Sequence, residues 1–213
     1  MLKNLFRKKI LLLLFLILIT TLILTGCYDK ATINTYSDPS FDKNTITRLA
    51  IFPMRNTKLA PGEAREINRK ITQGIQRSAP NIDIMSADTA TKKLNEADLT
   101  EEWAKFLSDY NSSGIPNTKM LFKIGDTLNV DGIMQGEIVN IQQRDGSPGY
   151  YYSQRGQTRV TVRYSILGVD SGKLLWEATS DGIRETASAM EEAPPIIEAI
   201  ILAQEKIVAN LPF

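Results

Sequence analysis

The chain has 213 residues, with 25 Lys and Arg against 24 Asp and Glu for a net charge of +1, and 43% hydrophobic and 23% charged residues. That length bounds it to one domain, with room for an appendage. The composition is that of a globular protein, which excludes a disordered tail, a collagen and a nucleic-acid-coating protein. There is no histidine and only one cysteine, so the chain alone builds no Ser-His-Asp triad, Cys-His pair, His-bearing zinc site or intramolecular disulfide.

The first nine residues carry Lys3, Arg7, Lys8 and Lys9 and no acid, and Ile10 to Leu24 is apolar apart from Thr20 and Thr21. These are the n-region and h-region of an export signal. The stretch closes on Leu24-Thr25-Gly26-Cys27, which resembles the lipobox of bacterial lipoproteins: an apolar residue, two small ones, then the cysteine. Each position has a chemical use. The Cys27 thiol forms the thioether to diacylglycerol, and Gly26 lets the signal peptidase reach the backbone it cleaves. The other reading is a transmembrane anchor with a buried cysteine, but Ile10 to Leu24 is shorter than the roughly 20 residues that span a bilayer.

Under the lipoprotein reading residues 1–26 are removed and Cys27 carries acyl chains such as palmitate, each buried CH₂ adding about 0.8 kcal/mol to membrane attachment. The mature chain, four cations poorer than the +1 precursor, has a charge of −3, which argues against a nucleic-acid partner. Tyr28 follows the cysteine, where an Asp tends to retain lipoproteins of enteric bacteria in the inner membrane. The expected location is therefore the outer membrane, facing the periplasm, with the inner membrane less favoured.

Residues 27–45 are polar and without helical periodicity, and Asp38-Pro39 interrupts them. They read as a lipidated tether with a reach of about 20–25 Å, followed by a periplasmic domain over 46–213. Ile46 to Met54 reads as a buried strand ended by Pro53. After Pro61-Gly62, Glu63 to Ser78 places Ala64, Ile67, Ile71, Gly74 and Ile75 on one face of an amphipathic helix. Ile82, Ile84 and Met85 predict a short strand, Ser86 an N-cap for a helix through Leu94. A further helix runs from Leu99 to Tyr110 with Thr100 as cap, and another from Thr118 to Leu128. The period then changes to two. Asp131 to Gln143 is strand-like, and Arg159 to Leu167 alternates Val160, Val162, Tyr164 and Ile166 with Arg159, Thr161, Arg163 and Ser165, one face buried and one wet. Val169 to Lys173 is a hairpin turn, Leu174 to Ser180 the returning strand with Trp176 inward, and Pro194-Pro195 opens a helix to about Asn210. The fold class is α/β: a single domain with helices packed on a mixed sheet, in the order β-α-β-α-α-α-β-β-β-α.

Several segments together resemble a known group. "RLAIFPM", "IDIMS", "IGDTLNVDGIMQGEIVNI" and "VTVRYSILGVDSGKLLWEATS" resemble the periplasmic domain of the curli-secretion-channel lipoproteins. That domain in turn resembles the penicillin-binding-protein-activator lipoproteins and the N-terminal domain of the Tol-system propeller protein. The resemblance covers about residues 46–210 and implies an envelope scaffold or adaptor with no catalytic residues to carry over. The curli channel builds its membrane barrel from long inserted hairpins, and each spanning strand needs about 9–11 residues. The corresponding segment here, Arg144 to Gln157, is one short loop rich in turn formers, which disfavours a pore.

Tyr150, Tyr151 and Tyr152, between Pro148-Gly149 and Arg155-Gly156, offer three aromatics for contact with a partner; alternatively they cover the sheet edge. Arg159 and Arg163, with Thr161, line a strand face that either receives an acidic partner or is simply solvated. Asp126, Asp131, Asp170 and Glu137 are the carboxylates available for glycosidase chemistry, but the sequence brings no two of them to one cleft. Gly132 and Gly136 read as close packing or a bulge, Trp103 and Trp176 as core anchors. No cofactor, metal or catalytic residue is expected. The expected role is a non-enzymatic adaptor or regulator of a cell-envelope complex, bound to the membrane through Cys27 and to a protein partner. An oligomeric subunit of a secretion or export channel is the alternative, and a cell-wall carbohydrate hydrolase a distant third.

Overall fold

The computed structural model describes residues 32–55, 58–149 and 153–213. The expectations for the signal segment, Gly26, Cys27 and Tyr150 to Tyr152 lie outside these residues. Six strands and five helices form one α/β domain: β1 (Ile33–Ser37), β2 (Arg48–Ile51), α1 (Pro61–Ser78), β3 (Asp83–Met85), α2 (Ala87–Glu96), α3 (Thr100–Ser113), α4 (Thr118–Leu128), β4 (Gly132–Arg144), β5 (Gln157–Gly168), β6 (Leu174–Glu185) and α5 (Ile196–Val208). The single mixed sheet has the order β1-β6-β5-β4-β2-β3. β2 pairs parallel with β3 and with β4, while β4, β5, β6 and β1 are antiparallel neighbours.

The parallel part is the buried part. Leu49, Ala50 and Ile51 of β2 are all fully buried, as expected of a strand covered on both faces, whose sequence reads as a continuous apolar run. Pro61 occupies the first turn of α1 rather than the preceding loop, because its fixed φ suits that position and the missing N–H is not needed there. Glu63 accepts a 2.9 Å hydrogen bond from the Ala60 N–H. Ile67, Ile71, Gly74 and Ile75 form the buried stripe of α1. Ser86 caps α2 and Asn117 caps α4. Thr100 does not cap α3: the preceding Leu99 holds the N-cap place without a side-chain bond, and the Thr100 hydroxyl donates to Asn95 Oδ1.

Two apolar layers flank the sheet. On one face α1 and α5 bury Ile67, Ile71, Ile75, Ile200, Ala203 and Ile207 against Val160, Val162, Tyr164, Ile166 and Trp176. On the other, α2, α3 and α4 bury Leu94, Trp103, Phe106, Leu121 and Ile124 against Ala50, Phe52, Ile133 and Leu167. Trp103 and Trp176 are core residues, as the sequence indicates. The alternation of β5 holds as far as Tyr164: Val160, Val162, Tyr164 and Ile166 are buried, Arg159 is exposed and Thr161 and Arg163 half-buried, whereas Ser165, expected on the wet face, is buried and hydrogen-bonded to Glu177.

The segment expected to be tether is partly structured. Ile33–Ser37 adds to β6 as an edge strand, and Lys43–Thr45 forms a short 3₁₀ turn capped by Asp42. β1 shows four exposed residues out of five, so the hydrophobic pattern that marks a strand is missing. Its backbone pairing to β6 determines its conformation.

Candidate functional site

The helices over β2, β3 and the start of β4 do not extend across the rest of that face, so β5, β6 and the far half of β4 present their polar side chains there. Where the helical cover ends, a cleft of about 720 Å³ opens between α2 and α3, the loop following β2, and β4 residues 138–141. A smaller cavity of about 240 Å³ continues from it beneath Tyr110 and Leu107 of α3. The position follows from the fold. Open α/β sheets leave crevices outside the carboxyl ends of their parallel strands, and Phe52 to Arg55 is the chain leaving the carboxyl end of β2.

The floor of the cleft is apolar, with Phe52, Leu94, Trp103 and Leu107. Trp103 is held between two phenylalanines, its ring centroid 4.3 Å from Phe52 and 5.1 Å from Phe106, an arrangement that fixes the indole before anything binds. Gln135 reaches the floor from β4 and is 8% exposed. Its Nε2 donates to the carbonyls of Pro53 and Gly136, each at 2.8 Å, while its Oε1 has no hydrogen-bond partner among the described residues.

A row of charges crosses the sheet from the cleft. Arg55 pairs with Glu137, Glu137 Oε1 also accepts from Arg163 Nη1 at 3.1 Å, and Arg163 Nε lies 3.8 Å from Glu177. Ser165 Oγ ends the row by donating to Glu177 Oε2 at 3.0 Å. A second group joins Asp181 to Arg159 at 3.7 Å and to the Thr161 hydroxyl at 2.6 Å. Arg159 and Arg163 thus belong to cross-strand networks with the chain's own carboxylates. Tyr110 lies over the row, and burial, reinforced by Glu177, raises the pKa of its hydroxyl.

The carboxylates considered for hydrolysis are dispersed. Asp131 precedes β4 and serves the backbone: its Oδ2 accepts from the N–H groups of Thr47 and Arg48, both at 2.9 Å, and from the Thr47 hydroxyl at 2.7 Å. Six residue steps of strand separate it from Glu137, about 20 Å at the strand rise, well beyond the roughly 5–9.5 Å between the carboxyls of glycoside hydrolases. Asp170 lies in the β5–β6 turn and Asp126 on α4. Among the described residues no group of three or more His, Cys, Asp or Glu is placed to hold a metal ion, and no helix is long and apolar enough to cross a membrane. Arg55 and Gln135 are site residues that the sequence reading passes over. The available signal for Gln135 was an amide between Met134 and Gly136 in an otherwise apolar strand start.

No protein-family model matches the chain, and no curated protein matches it. Solved structures similar to it include the PelC dodecamer from Paraburkholderia phytofirmans, at 12% identity over 84% of this chain and 96% of that one, with a TM-score of 0.48. Lipoprotein GNA1162 from Neisseria meningitidis is similar at 12% identity over 78% of this chain and 99% of that one, TM-score 0.40. The LpoB C-terminal domain from Escherichia coli is similar at 14% identity over 66% of this chain and 86% of that one, TM-score 0.38. At these identities and scores the likeness assigns no activity, ligand or partner.

Proposed function

We propose that the chain is a bacterial envelope lipoprotein, held in the outer membrane by acyl chains on Cys27, that acts without catalysis as an adaptor or regulator of an envelope complex in the periplasm. The observation that carries this reading is the Leu24-Thr25-Gly26-Cys27 sequence behind a cationic and apolar leader, with the only cysteine of the chain at the lipidation position. The fold supports it by its start. Thr32 already binds the sheet, its carbonyl accepting from the Asp181 N–H at 3.0 Å. Six residue steps from Cys27 to Ile33 reach at most about 20 Å, so a lipid on Cys27 keeps the domain close to the bilayer.

The adaptor role fits surfaces that offer contacts rather than a reaction centre: an apolar cleft, neutralised charge rows and, in sequence, the Tyr150 to Tyr152 loop. A channel subunit is the second reading, favoured by the exposed outer edge of β1 with Tyr36 at 49% exposure. Crosslinking in intact cells followed by mass spectrometry tests the proposal. The expected result is a reproducible set of envelope proteins crosslinked to the wild type and reduced in a Tyr150→Ser, Tyr151→Ser, Tyr152→Ser variant; crosslinks only between copies of the chain favour the channel subunit, and no crosslinks at all contradict both.

A further inference from the structure

We infer that the cleft beside α3 receives an extended segment of a partner polypeptide, which adds as a strand to the edge of β4 beyond Ile138, unpaired among the described residues. The inference rests on the adaptor reading and names its docking site and the chemistry of the partner. On the side away from β5, β4 pairs with β2 from Gly132 to Met134 and meets Arg55 once more at Glu137, where the Ile138 N–H donates to the Arg55 carbonyl at 3.2 Å. Past that point, among the described residues, β4 has β5 as its only strand neighbour. A bulge between Ile138 and Asn140 marks the departure, and Val139 there is 47% exposed. An unpaired strand edge is a template for another strand, and peptide recognition by strand addition draws affinity from the backbone ladder and specificity from pockets for alternate side chains.

Both requirements meet here. The 720 Å³ cleft is lined by Ile138 to Ile141 on the edge side and by Trp103 and Leu107 opposite, so a strand laid along the edge directs alternate apolar side chains into it. Charge sets the polarity of the partner. Arg55, Lys58 and Arg163 line the two connected cavities against Glu137 and Glu177, and Lys58 forms no ion pair among the described residues. The surplus cation calls for a carboxylate on the segment. The occupant is thus an extended peptide with alternating apolar residues and at least one Asp or Glu.

The test uses the mature, lipidated chain in detergent micelles and a phage-displayed library of random decapeptides, followed by titration calorimetry with synthetic copies of the selected sequences. Selected peptides are expected to alternate apolar and polar residues, to contain an acid, and to lose at least tenfold in affinity on N-methylation of alternate backbone amides. Leu107→Arg, which fills the cleft, is expected to produce a loss of the same size. N-methylation is read on the wild-type protein, so a folding defect in the variant does not blur it. Peptides that tolerate N-methylation at every position overturn the proposal, as does selection of none above empty micelles. A small apolar dye that occupies the cleft without competing with the peptides overturns it as well. The adaptor reading fails by a different route, through absence of lipid on Cys27 or of envelope crosslinks, so peptide failure with both intact rejects the docking site alone.

Discussion

Gly136 on β4 and Tyr164 on β5 are direct cross-strand partners, and the tyrosine ring fills the space that a side chain at position 136 would take: a Cβ built there would lie 2.5 Å from the ring. The same tyrosine ties the sheet to α5, since Gln204 Nε2 donates to its hydroxyl at 2.6 Å. Burial pushes the Tyr164 pKa well above its ordinary value, so the ring stays neutral throughout the physiological range. Gly136→Ala is expected to destabilise by about 1–3 kcal/mol through overpacking, and Tyr164→Phe by a similar amount, because the Gln204 Nε2 keeps only its 3.4 Å bond to the Ile67 carbonyl. Urea denaturation of each variant checks both values.

Gly182 on β6 sets a harder limit. A Cβ there would come within 1.9 Å of the Ala199 carbonyl oxygen in α5, and helix backbone does not swing aside as a ring edge can. Gly182→Ala is therefore expected to lower the unfolding midpoint more than Gly136→Ala does, at or above the roughly 3 kcal/mol upper end for overpacking. Parallel thermal melts of the two variants decide the order.

The acid sensitivity of the fold is expected to pass through Asp131. Burial alone would raise its pKa, but hydrogen bonds from the Thr47 hydroxyl and the Thr47 and Arg48 N–H groups, with the Arg48 guanidinium, hold it below the ordinary carboxylate value. A folded-state pKa below the unfolded one, about 3.9 for Asp, means that the ionised form stabilises the protein above that value. The contribution is lost as pH falls through the lowered folded value. Stability measured from about pH 5 to pH 2 is expected to fall less steeply in Asp131→Asn than in wild type.

The charge row makes a smaller and separable contribution. Arg163 is 40% exposed in its side chain and Glu137 25%, so water screens much of their attraction. A double-mutant cycle over Glu137→Ala and Arg163→Ala is expected to give a coupling of about 0.5–1 kcal/mol, and raising the salt concentration is expected to shrink it.

Most elements were legible because they bury a periodic face: the helix over Thr118–Leu128 and the alternation of β5 follow from side-chain spacing alone. β1 was not, since four of its five residues are exposed and only backbone pairing with Ser180 to Trp176 makes it a strand. That strand takes Ile33–Ser37 out of the segment expected to be tether. Thr100 looked like a cap by residue type, but Leu99 fills the cap position and its Leu94 carbonyl contact, an N–H donation at 2.9 Å, directs the turn. The cleft was illegible for another reason. It is formed by the ending of helical cover over the sheet, a tertiary property, and its polar residues Arg55 and Gln135 stand 80 positions apart in sequence.

In the proposed function, membrane attachment, location and the adaptor role all depend on lipidation of Cys27. Metabolic labelling with a radioactive fatty acid, comparing wild type with Cys27→Ala, tests it most directly. Label in the wild-type band and none in Cys27→Ala is the expected result, and equal labelling of the two proteins, or of neither, would contradict the account.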